Sequence, residues 1–108
     1  MLKSNYDQST STLTFIFAGH LDTASCLPMS KELESKAAES SAAADQSGMP
    51  LKIVFDLKDV DFISSAFIRI CMIILSKVKA GDLSVRNANP FIKKTIKISG
   101  LENQLNLT

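Results

Sequence analysis

Apolar residues in this chain fall in short blocks separated by polar punctuation, and the period of the blocks changes along the sequence. In "TLTFIFAGHLD" (12–22), Leu13, Phe15 and Phe17 share one side of a two-residue alternation, and Thr14, Ile16 and Ala18 the other. That pattern predicts a strand ending at Gly19. The next block, 22–40, places Leu27, Ser30, Leu33 and Ala37 at helical spacing, with Asp22 or Thr23 as cap and Pro28 tolerated near the start. Residues 40–50, "SSAAADQSGMP", carry no core pattern and read as a loop. "LKIVFDL" (51–57) is an uninterrupted β-rich run, as expected of a buried central strand, and "KDVDFI" reads as a short connection.

A second helix is predicted from Ser64 or Ser65 to Gly81, whose glycine suits the residue just past a helix end. "LSVRNA" (83–88) is a further strand. Asn89-Pro90 opens a third helix that closes at Ser99-Gly100-Leu101, and "NQLNLT" (103–108) ends the chain as a short strand. With an extra strand near "LKSNYDQ", strands and helices alternate. The expectation is one α/β domain over residues 1–108: a mixed, mostly parallel sheet of four to five strands with three to four helices packed mainly on one face.

Composition changes this picture little, but it removes functions. Twelve basic and 11 acidic residues give a net charge of +1, so nothing points to nucleic acid or an anionic surface. Cys26 and Cys71 lie far apart without a C-x-x-C motif, which reads as two reduced thiols in a cytoplasmic setting. The first residues lack the apolar core of a signal peptide, and the longest apolar run is broken by Arg69, so no membrane insertion is expected. With one histidine, His20, read as a surface loop residue, metal-ligand spacing is absent and no cofactor is called for. Lys93, Lys94 and Lys97 read as a solvated helix face.

The chemistry concentrates in "DFISSAFIRICMIIL" (61–75). Serine between a strand and a helix is a standard N-cap, contributing about 0.5–2 kcal/mol. Nucleophilic catalysis has little support, because no histidine base accompanies the serines and the G-x-S-x-G elbow is absent.

The same stretch resembles the signature of the STAS domain family, named for sulfate transporters and anti-sigma-factor antagonists. Asp56-Leu57, Phe62-Ile63 and Ser64-Ser65-Ala66 match its pattern in order and spacing, with Ile68 at the family's leucine position and Arg69 after it. "GHLD" (19–22) looks like the family's G-x-L-D, and "NPFIKKTIKISGL" (89–101) like its third helix. The resemblance implies a STAS-like fold and a non-enzymatic bacterial regulator. Such a regulator binds an anti-sigma factor, or a related serine-kinase-like protein, that phosphorylates the second serine. That position is Ser65, with Ser64 as the alternative acceptor. It also implies that Asp22 lies near the serines and helps to shape the partner site. Capping and phosphorylation are compatible at one helix end, whose free N–H groups and positive dipole end suit a phosphate. Two other readings stand beside this one: a non-switching STAS subunit of a lipid-transport or stress-signalling assembly, and a small nucleotide-binding protein.

The family usually has glycine where this chain has Phe67. A ring there, within one turn of Ser65, either obstructs a partner or anchors one. The family register puts Ile68, Cys71, Met72 and Leu75 against the sheet, with Val78 one turn on. Phe67, Ile70, Ile73 and Ile74 are then left over. Either the core face is wider than one stripe, or a second apolar patch is exposed. Such a patch, through Phe67, Ile70 and Ile74, would serve partner binding or a homodimer through helix 66–80.

Overall fold

The computed structural model describes residues 2–78, 82–101 and 103–107. It contains strands β1 (Leu2–Asp7), β2 (Thr12–Leu21), β3 (Lys52–Ile63), β4 (Leu83–Arg86) and β5 (Asn106–Leu107). The helices are α1 (Thr23–Ser47), α2 (Ser65–Leu75) and α3 (Pro90–Ile98). The strands form one sheet in the order β1-β2-β3-β4-β5; β1 runs antiparallel to β2 and every other neighbouring pair is parallel. The expected α/β architecture is therefore present.

One face of the sheet is covered. Leu13, Phe15 and Phe17 of β2, Ile53, Phe55 and Leu57 of β3, and Leu83 and Val85 of β4 are buried in a single cluster with residues of all three helices. The alternate positions, such as Thr14, Lys52, Ser84 and Arg86, line a shallow concavity on the opposite face. The two-residue alternation thus separates the faces as strand geometry requires.

Two element boundaries depart from the sequence expectation. The first helix does not stop near Ser40 but runs to Ser47, so most of the expected loop is helical. Ser40 and Ala44 continue the buried stripe of Cys26, Met29, Leu33 and Ala37; their small side chains hid the pattern. Gly48, at φ 77°, ends the helix, and Met49 N–H donates to Ala44 C=O. This left-handed closure is one that glycine allows without strain.

Likewise, "KDVDFI" is not a connection: β3 continues through it to Ile63 and pairs with β2, via two irregularities, as far as Leu21↔Ile63. The second helix is shorter than expected. It ends at Leu75 with Ser76 as C-cap, and the proposed closing Gly81 lies outside the described residues. At α3, the Asn89 side chain accepts from Ile92 N–H at 2.8 Å, as the sequence indicates for a Pro-initiated helix.

Candidate functional site

The long β2–β3 pairing delivers two helix starts to the same end of the sheet. Ser64 N–H donates to Leu21 C=O at 3.0 Å, so the residues that follow, Asp22 and Ser65, open α1 and α2 side by side. Asp22 caps α1, its carboxylate accepting from Ser25 N–H at 2.9 Å. That bond is the main reason its carboxyl titrates below the ordinary aspartate value.

The two serines differ. Ser64 occupies the N-cap position of α2, and its carbonyl accepts from Phe67 and Ile68 N–H, but its side chain makes no capping bond. Its Oγ is buried and, apart from the adjacent Cys26 thiol, has no partner among the described residues. It lies beside the Cys26 thiol, where it only partly offsets the upward push that burial gives that thiol. Ser65 is the first helical residue and is exposed. The backbone N–H groups of the first helical positions have no carbonyl partner within the helix, so this end is electropositive.

Phe67 answers the question its position raises. It is fully buried and packs edge-on to Phe17, with ring centroids 5.3 Å apart, and in tilted contact with Phe55 at 5.8 Å. The ring therefore completes an aromatic cluster with Phe15, Phe17 and Phe55 under the helix and leaves the surface around Ser65 clear.

Ile70 and Ile74 are buried as well, so the apolar patch expected through Phe67, Ile70 and Ile74 is not at the surface. The physical reason is rotation of the helix relative to the expected register. Phe67, Ile70, Cys71 and Ile74 face the core with Ile68 at its margin, while Met72, expected inside, is 49% exposed. A homodimer through those three side chains loses its basis, since they are already occupied within the domain.

What α2 does present is a strip at i, i+4 and i+7: Ser65, Arg69 and Met72, all exposed. Beside it, α1 and α2 enclose a cleft of about 230 Å³ lined by residues that include Thr23, Leu27, Ala66, Arg69 and Ile73. Leu27, on its α1 wall, is 70% exposed. Leu27, Arg69 and Met72 were not identified from sequence as site residues. The signal available was the helix period itself, once Phe67 is placed inward.

A second cluster stands on the β2–β3 ribbon. His20 lies at the end of β2 rather than in a loop. Its ring stacks on Phe62 at 4.4 Å and its Nδ1 is 3.3 Å from Asp61 Oδ1. Among the described residues, no group of three His, Cys, Asp or Glu side chains is arranged to hold a metal ion, and no helix is long and apolar enough to cross a membrane.

The STAS domain model matches residues 3–108, and the chain belongs to that family. Among solved structures, the anti-sigma factor antagonist SpoIIAA in its unphosphorylated form is similar in fold, at a TM-score of 0.63 and 13% identity, over 100% of this chain and 87% of that one. The phosphorylated form of SpoIIAA, described as a Bacillus cell fate determinant, gives 0.61 and 16% over 100% and 91%. A SpoIIAA-like protein of the DUF3478 family from Shewanella loihica PV-4 gives 0.60 and 12% over 100% and 84%. A comparison with curated proteins finds no match.

Proposed function

We propose that this chain is a bacterial cytoplasmic regulatory module that works by binding, as an anti-sigma factor antagonist, and that phosphorylation of Ser65 by a kinase-like partner switches it off. The observation that carries this reading is the pairing of an exposed Ser65 with an inward Phe67. The residue that departs from the family pattern does not obstruct access to the hydroxyl. The buried Oγ of Ser64 supports Ser65 over Ser64 as acceptor.

The physics of the switch follows from position. Unmodified, the Ser65–Arg69–Met72 strip and the adjoining cleft offer one hydroxyl, one cation and apolar surface to a partner. A phosphate on Ser65 adds about 1.5–2 negative charges there. The helix N-terminus holds it, and Arg69, one turn on, is near enough to pair with it. That pairing withdraws the guanidinium from a partner carboxylate while the new charge repels it, so both effects loosen the complex.

The test is recovery of partners from the cell of origin with wild type, Ser65→Ala and Ser65→Glu as bait. An ATP-binding, kinase-like protein held by wild type and Ser65→Ala and lost with Ser65→Glu is the expected result. The same partners on all three baits would make the chain a non-switching subunit and end the proposal.

A further inference from the structure

We infer that the outer face of α3 is a second docking surface, separate from Ser65, for an acidic amphipathic protein segment. Ile92 and Ile96 alone anchor this helix in the core. On the other side, Phe91 and Ile98 are 60% and 77% exposed, two of the largest apolar side chains at the surface. They are seven residues apart, two helical turns, and therefore lie on one strip. Lys94 stands between them on that strip and Lys97 flanks it.

Single exposed apolar residues need no explanation, but two aligned on a nine-residue helix with a lysine between them form a pattern. Folding does not ask for it, because polar residues at 91 and 98 would leave the Ile92 and Ile96 contacts intact. None of Lys93, Lys94 and Lys97 forms an ion pair among the described residues.

Charge decides the occupant. A segment with a carboxylate between two apolar side chains answers Phe91, Lys94 and Ile98 together. A lipid surface fits less well, because a nine-residue helix with two exposed apolar side chains, in a chain of net charge +1, offers little apolar area and little attraction to anionic lipid. α3 is the β4-to-β5 crossover and its contacts run to β3, whereas Ser65 lies on the helix that packs against α1. Occupancy of this face is therefore independent of the state of Ser65.

The experiment is selection of a displayed library of random peptides on the immobilised full chain, followed by anisotropy titration of the recovered peptides. Recovered sequences should place Asp or Glu between apolar residues, bind less tightly as salt rises, and bind Ser65→Glu as well as wild type. Phe91→Ser/Ile98→Ser and, separately, Lys94→Gln/Lys97→Gln should each weaken binding by about tenfold or more. Because all four positions are exposed, circular dichroism should show both variants folded. No enriched peptide, peptides without acidic residues, or affinities unchanged in either variant would overturn the proposal. So would co-sedimentation of the chain with phosphatidylserine-containing vesicles that is lost in the same variants, or an α3-dependent dimer in sedimentation equilibrium.

Discussion

Phe67 and Phe17 meet edge to face, 5.3 Å between ring centroids and 87° between planes, beneath the turn that carries Ser65. The contact joins the first turn of α2 to the strand that leads into Asp22, so the aromatic core directly supports the serine end of the sheet. Restoring the glycine that the family usually has would remove this support. Phe67→Gly is expected to cost about 3–5 kcal/mol for the lost ring. About another 1 kcal/mol would follow from glycine in a helix. Urea unfolding checks this; a loss below about 1 kcal/mol would mean that the ring is not the core element described.

Ser64 and Asn89 occupy equivalent N-cap positions but behave differently. Asn89 caps α3 through its side chain, whereas the Ser64 hydroxyl is buried and makes no capping bond. Asn89→Ala should therefore cost about 0.5–2 kcal/mol. Ser64→Ala should cost clearly less than Asn89→Ala, about 0.5 kcal/mol or less, because its hydroxyl makes no capping bond and meets only the weakly bonding Cys26 thiol. Thermal denaturation of the two variants in one buffer makes the comparison, and equal losses would refute it.

Asp22 adds an acid-sensitive contribution. Its carboxylate is held below its ordinary value of 3.8 chiefly by the Ser25 N–H. A folded value lower than the unfolded one gives stability that is complete above the unfolded value and declines as pH falls through the folded one. Asp22→Asn keeps a capping oxygen but cannot titrate. The difference in stability between wild type and Asp22→Asn should thus be flat above about pH 5 and shift against wild type below about pH 4. Denaturant titrations across that range test the sign.

The cysteines should be chemically silent in the folded protein. Burial pushes the Cys71 thiol up to about 12 and raises Cys26 as well, so neither supplies thiolate near neutral pH. A thiol reagent such as DTNB should react slowly with native protein and titrate both cysteines after denaturation. Fast reaction of Cys26 without unfolding would show that the α1–α2 cleft opens to admit the reagent.

The sheet and its helices were legible because their signals are strong: Phe15 and Phe17 alternate, residues 51–57 form an uninterrupted β-rich run, and Pro90 and Gly100 punctuate. Ser40 and Ala44 were not, since small side chains carry weak hydrophobic contrast even where a stripe is buried. Nor was residue 58–63 strand, because Lys58, Asp59 and Asp61 look like a loop when they merely face outward. At the site, Asp22, Ser64 and Ser65 come to the same end of the sheet, as the family resemblance implied. The orientation of α2 was the obscure part. A helix apolar nearly all round gives no direction from its own sequence, and only the space between Phe17 and Phe55 decides that Phe67 faces inward.

Among the described residues, the pairing of β4 with β3 stops at Asp56, while β2 and β3 continue together to Leu21 and Ile63. The serine is thus mounted on a cantilever that overhangs β4. Past that point the ribbon has no β4 beside it, and it carries two register shifts. Its far end should open with less free energy than the sheet behind it, so amide exchange should run faster at residues 60–63 than at 53–56. A partner that grips α1 and α2 together would clamp that overhang. Binding at Ser65 would then be felt along the backbone as far as the point where β4 takes up its pairing with β3.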